Sequence, residues 1–251
     1  MALFGLYARA VLRNPWSWTP LLVLPLIALV FSSRGTATGL VSVFSLALLA
    51  LPPLWVSLST PLLAEREEWA FWASFPGKAG RLFRFGALGA AFGLIWPVLA
   101  GSGAAAWLLG ATAGQALLLA GLLILVSVYW TGVATVSSAL AQEPARALGV
   151  ALAFWAALVL LYEPAVVALA VAFADWPLEA PLLAAIFANP MELARVNLLK
   201  ALEVPVLVGP VGYLLDRLLG GWGVWGLLAT FFVWIGLFFA AAGWIFARRD
   251  R

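Results

Sequence analysis

The 251-residue chain is 65% hydrophobic and only 10% charged, with a mean hydropathy of +1.06 and a formal net charge of +3. No water-soluble domain of this length hides so much apolar surface, so a polytopic all-α membrane protein is expected. His and Cys are absent and Met191 is the one methionine after Met1; zinc sites of the usual kind, Ser-His-Asp or Cys-His hydrolases, His-ligated haem and iron–sulfur clusters are thereby excluded, and no soft-ligand ladder for copper remains.

Residues 1–15 open with an amphipathic segment in which Leu3, Leu6, Tyr7, Ala10 and Val11 recur at helical spacing while Arg9 and Arg13 fall outside the stripe. We expect a helix lying along the membrane interface until the chain turns inward at Asn14-Pro15. No separate signal peptide is expected, because the apolar stretch after Arg13 lacks a small-residue cleavage site.

Six stretches then reach the length of about 20 apolar residues that crosses a bilayer: Trp16–Ser32, Gly39–Ala64, Phe85–Leu109, Gln115–Ala141, Ala147–Phe173 and Trp222–Phe246. Pro52-Pro53 should kink the second. Gly86, Gly89, Gly93, Gly101 and Gly103 in the third suit close helix–helix contacts, with a hinge as the alternative. Tryptophans such as Trp16, Trp18, Trp176 and Trp222 cluster at span ends as an aromatic belt.

Basic residues set the expected orientation. With both termini cytoplasmic, the inner segments hold Arg9, Arg13, Arg66, Lys78, Arg81, Arg84, Arg146, Arg248, Arg249 and Arg251, and the outer ones hold Arg34, Arg195, Lys200 and Arg217. That asymmetry is the positive-inside pattern; the net charge gives no reason to invoke nucleic acid.

Between spans two and three, residues 65–84 form a charged island: Glu65, Glu67 and Glu68, then Phe75-Pro76, then Lys78, Arg81 and Arg84. It is long enough for a short amphipathic helix plus a turn, the kind of element on which a cytoplasmic protein docks; a solvated turn obeying the topological charge rules is the alternative. Gly77-Lys78 does not make a phosphate-binding loop, since the earlier glycine is missing and Ala79 replaces Ser or Thr. Any ATP hydrolysis is expected in another chain, and no cofactor is expected in this one.

Glu163 falls within the fifth span, where an ionised carboxylate needs a partner or water. It is a candidate for a translocation path; alternatively Pro164 ends the helix early and leaves Glu163 at the interface. Residues 174–221 form the one sizeable outer segment. There Asn189, Pro190 and Glu192 supply an N-cap, a first-turn proline and a first-turn acid for a helix that Pro205 ends, and a second short helix is expected over Val211–Leu219. Both read as a cap on the outer membrane face or a dip into it, either packing on the spans or receiving an extracytoplasmic partner through Asn189, Pro190, Glu192 and Arg195.

Taken together, the amphipathic amino terminus, the six spans, the acidic-to-basic island and the helical segment before span six resemble the permease of an ABC type-2 transporter. Glu65, Glu67 and Glu68 match that family's acidic cluster, and Ser74-Phe75-Pro76 with Lys78, Arg81 and Arg84 match its Leu-Pro-basic continuation, although Trp69-Ala70-Phe71 stands where Gly-Thr-Leu is frequent. The run Asn189-Pro190-Met191-Glu192-Leu193-Ala194-Arg195 resembles the Asn-Pro-x-acid-x-x-Arg segment of NosY-type permeases of nitrous oxide reductase maturation. Gly209-Pro210, Arg248-Arg249 and the acid at Glu163 are compatible with that subgroup.

The resemblance implies a single permease domain over 1–251 in the cytoplasmic membrane, working as a homodimer with a NosF-like cytoplasmic ATPase that binds ATP and Mg, and with a periplasmic NosD-like protein. It further implies a sulfur species or a mechanical signal, rather than free copper ions, as what serves the copper centre. Rival readings are a permease exporting a lipid, drug or peptide, a transmitter that moves force but no cargo, and a membrane-embedded lipid-modifying enzyme using Glu163 with Asp175 or Glu179.

Overall fold

A computed structural model describes residues 2–64, 79–141, 143–173, 175–176, 179–202 and 223–249. Every element in it is helical, and among the described residues there is no strand. In chain order the helices are α1 (Ala2–Arg13), α2 (Thr19–Phe31), α3 (Thr36–Ala64), α4 (Ala79–Leu108), α5 (Ala113–Ala141), α6 (Pro144–Trp155), α7 (Tyr162–Ala172), α8 (Glu179–Ala188), α9 (Pro190–Ala201) and α10 (Gly223–Arg249). Among the described residues six spans are long and apolar enough to cross a membrane: Pro15–Arg34, Thr36–Ala64, Ala79–Leu108, Ala113–Ala141, Pro144–Ala172 and Leu228–Arg248. The protein is an all-α, multi-pass membrane protein.

The central layer is α3, α4 and α5; α1 and α2 line α4, α6 covers α3 and α5, and α10 leans on α4 and α5. Lipid tails are as apolar as leucine, so hydrophobic burial does little to hold helices together here, and close backbone approach must. Glycine supplies it. A β-carbon at Gly89, Gly93 or Gly101 of α4 would run into the backbone oxygen of Phe4, Ala8 or Pro20 respectively, which is why the amino-terminal helices follow α4 so tightly. Gly103 meets open space instead.

The amphipathic helix expected at the amino terminus is α1, and α4 receives its apolar face. Leu3, Tyr7, Ala8 and Val11 are buried, whereas Leu6 of the expected stripe is 54% exposed. The turn at Asn14-Pro15 forms as the sequence suggests: the Asn14 side chain accepts from the Trp16 N–H at 3.0 Å, and the Trp18 indole donates to the Leu12 carbonyl at 3.0 Å. Gly35 and Gly110, with φ of 87° and 64°, make the two tight turns that lead into α3 and α5.

The third span starts earlier than expected. Nothing between Ala79 and Phe85 breaks a helix, and this first stretch has its own packing: Phe83 stacks on Phe246 at 4.5 Å and Gly80 lies against Gly243. Arg81 and Arg84 therefore stand on α4 itself, at the same end of the bundle as Arg146 and Arg248. Glu65, Glu67, Glu68, Phe75, Pro76 and Lys78, and the helix expected over Val211–Leu219, lie outside the described residues. α3 runs unbroken through Pro52 and Pro53.

Candidate functional site

Between the fifth and sixth spans the chain makes a helical hairpin, α8 and α9, joined at Asn189. The cap is the one the sequence encodes. Asn189 is extended (φ −111°, ψ 106°), its Oδ1 accepts from the Met191 N–H at 2.9 Å, and Pro190 follows at the first helical position, where an N–H has no helical acceptor to lose.

The depth of this tip could not be read from the sequence. The Asn189 side-chain amide donates to the carbonyl of Leu158 at 3.0 Å, and Leu158 is the central residue of the Pro144–Ala172 span. Trp234 of α10 donates its indole N–H to the Phe187 carbonyl at 3.0 Å. Trp130 of α5 donates to the Met191 sulfur at 3.3 Å. The hairpin is thus inserted to the middle of the bundle, and spans four, five and six each hold its tip with one hydrogen bond. An aromatic cluster from the same spans surrounds the insertion, with Trp130–Phe154 at 6.3 Å, Tyr129–Phe238 at 5.2 Å and Phe154–Phe238 at 5.7 Å, all edge-on.

The fifth span changes character where Asn189 touches it. Residues Ala156–Leu161 form a π-helix, a widened turn that is rare and often sits at functional positions. Pro164, immediately beyond, lacks the N–H that an α-helix would offer to the preceding turn. Rather than ending the helix, the proline is accommodated: α7 continues to Ala172. Below the π-turn, α6 packs against α3 and α5; above it, the neighbour of α7 is α8. The hairpin separates the outer half of the fifth span from the bundle, and only 6% of that span's apolar window is buried in the protomer.

Glu163, Glu192 and Arg195 meet at this opening. The Arg195 guanidinium lies 3.4 Å from the Glu163 carboxylate and 3.7 Å from that of Glu192, one turn away on α9. They border a cavity of about 210 Å³ with Tyr162, Ile186 and Leu199, and the Tyr162 hydroxyl donates to the Ala185 carbonyl. One guanidinium thus stands against two carboxyl groups.

Two sets of residues that the sequence assigned separately, Glu163 to a path and Glu192 with Arg195 to an outer contact, are therefore one cluster. Asn189 and Pro190 are buried, and both polar ends of the Asn189 amide are taken by Met191 and Leu158. Their part is to hold the hairpin. Arg81 and Arg84 are exposed at the basic end of α4, away from the cluster. Sequence reasoning missed α8, Trp130, Trp234 and the Leu158 carbonyl. For α8 a signal existed, in Glu179 and Pro181 ahead of an apolar run; for the indoles none did.

Among the described residues no three His, Cys, Asp or Glu side chains converge as a metal site would require. Neither protein-family models nor curated sequences yield a match to this chain.

Proposed function

We propose that this chain is the membrane-spanning permease of an ABC type-2 transporter, acting as a homodimer with a separate cytoplasmic ATPase in maturation of the copper centre of nitrous oxide reductase. The observation that carries the reading is the inserted hairpin. Its tip is bonded to spans four, five and six, so a movement of those spans displaces the hairpin, and one that starts at the basic end is passed to the opposite face. In this reading the island 65–84 is the coupling segment, with Glu65, Glu67, Glu68, Phe75, Pro76, Lys78, Arg81 and Arg84 against a NosF-like ATPase that holds ATP and Mg. Both termini are cytoplasmic, the membrane is the inner one, and the hairpin side meets a NosD-like periplasmic protein.

What is conveyed is a sulfur species or force alone, since a chain without Cys or His and with one internal Met offers no relay for copper ions. ATP-driven closure of two ATPases rocks the two bundles, and the hairpins follow. The test is gentle solubilisation from the native membrane with mass spectrometry of stoichiometric partners. An ATPase together with a periplasmic partner is the expected result. An ATPase alone reduces the reading to a general exporter of lipid, drug or peptide, and finding neither overturns it.

A further inference from the structure

The two halves of the fifth span are held in different ways. α6 packs on α3 and α5 and buries Ala147 and Ala151, whereas neither the π-turn Ala156–Leu161 nor α7 buries a residue within the protomer. The outer half is held instead by three polar contacts with the hairpin: Asn189 to the Leu158 carbonyl at 3.0 Å, the Tyr162 hydroxyl to the Ala185 carbonyl, and Arg195 to Glu163 at 3.4 Å. All three fall between Leu158 and Glu163, on the π-turn or at its exit. A π-turn bonds to the fifth residue along rather than the fourth, so it takes up one residue more than an α-turn. Tightening it to an α-turn carries everything beyond it about 100° around the axis and about 1.5 Å along it. In most helices the regained bond decides for the tight form. Here Pro164 has no N–H to return to the Leu160 carbonyl, so tightening recovers less, and turning α7 breaks no packed core.

We propose that the π-turn is a register switch. In a second state Ala156–Leu161 is α-helical, α7 is advanced by one residue, and the three contacts with the hairpin are released. Tyr162 then stands where Glu163 stands here, and Leu161 where Tyr162 does. Arg195 keeps Glu192, on its own helix, and loses Glu163. The cavity of about 210 Å³ between α7 and the hairpin exchanges a carboxyl group on its wall for an aromatic ring, so the register of α7 sets what that cavity presents. A pull on the hairpin tip removes the contacts that hold the wide turn, which links the position of Asn189 to the facing of α7 through two discrete states rather than a gradual bend. The switch needs neither an ATPase nor a particular cargo, and it stands or falls apart from the proposed permease function.

The chain contains no cysteine, so paired spin labels report without background. One label goes on α5 at Leu117→Cys and the other on α7 at Val171→Cys or Leu169→Cys, all more than half exposed in the protomer. Val171 and Leu169 lie about 200° apart around α7, so one swing cannot leave both distances unchanged. Labelled protein is diluted into unlabelled protein in lipid nanodiscs, and pulsed dipolar spectroscopy reads the distance within one chain. A turn of 100° moves a side chain by about 8 Å on a helix about 11 Å across. Tyr162→Phe with Arg195→Gln, which releases two of the contacts, is expected to add a second, discrete distance to the native one. Deleting Ala157 from that variant removes the spare residue without turning α7 and should restore the single native distance. A released variant that keeps only the native distance overturns the proposal. So does a continuous spread of distances, which shows loosening without a second register. A deletion that itself shifts the distance shows that the turn holds no spare residue, and overturns it as well. Labels at Leu117→Cys and Val233→Cys on α10 check the rest of the bundle; where these shift, Tyr162→Phe alone, which removes one hydroxyl, is read by the same outcomes.

Discussion

Asn189 and Leu158 are joined by a 3.0 Å hydrogen bond across 31 residues of chain, from the tip of the inserted hairpin to the centre of the fifth span. The same Asn189 side chain caps α9 through its other end. One amide thus starts a helix and fixes its depth.

The two roles separate by mutation. Asn189→Ala removes both and should destabilise the protein by about 1–2 kcal/mol from the lost cap alone, with more for the freed Leu158 carbonyl. Asn189→Ser keeps a capping oxygen but is too short to reach Leu158, so its loss should be smaller. Thermal unfolding in detergent, read by near-ultraviolet tryptophan signals, ranks the three proteins. Equal loss in both variants would show that the cap carries nothing.

The two indole contacts should differ in weight. A backbone carbonyl is a better acceptor than a thioether, so Trp234→Phe should cost on the order of 0.6 kcal/mol, typical of a hydrogen bond between membrane helices, and Trp130→Phe less. Hydrogen exchange of the amides of residues 185–195 is the measurement. Faster exchange in Trp234→Phe than in Trp130→Phe is expected, and the reverse order would contradict the assigned acceptors.

The proposed function makes a prediction about opposite ends of the chain. Glu67→Lys combined with Glu68→Lys should abolish ATPase co-purification while leaving the permease inserted. Arg195→Glu, which sets three carboxylates together, should weaken an outer partner more than the ATPase. Pull-down of both partners from each variant gives a two-by-two result, and equal retention throughout would remove the coupling and cap assignments together.

Composition and periodicity were enough to determine the class, the six spans to within about six residues of their observed ends, the turn at Asn14-Pro15 and the Asn189 cap. Each of these depends on local chemistry, either solvent transfer of about 20 residues at a time or a side chain bonding its own backbone two residues on. Tertiary structure decided the remainder. Gly89, Gly93 and Gly101 look alike in sequence to Gly103, but only contact with α1 and α2 separates them. Glu163 and Arg195 lie 32 residues apart, and nothing local says that they pair. The sequence puts the helix capped by Asn189 on or dipping into one face and does not predict α8; only the donors on Trp130, Trp234 and Asn189 reveal that the tip reaches mid-bundle. Such contacts are invisible in an apolar sequence because lipid and protein select the same residues; which face meets which is set by where the helices close on one another.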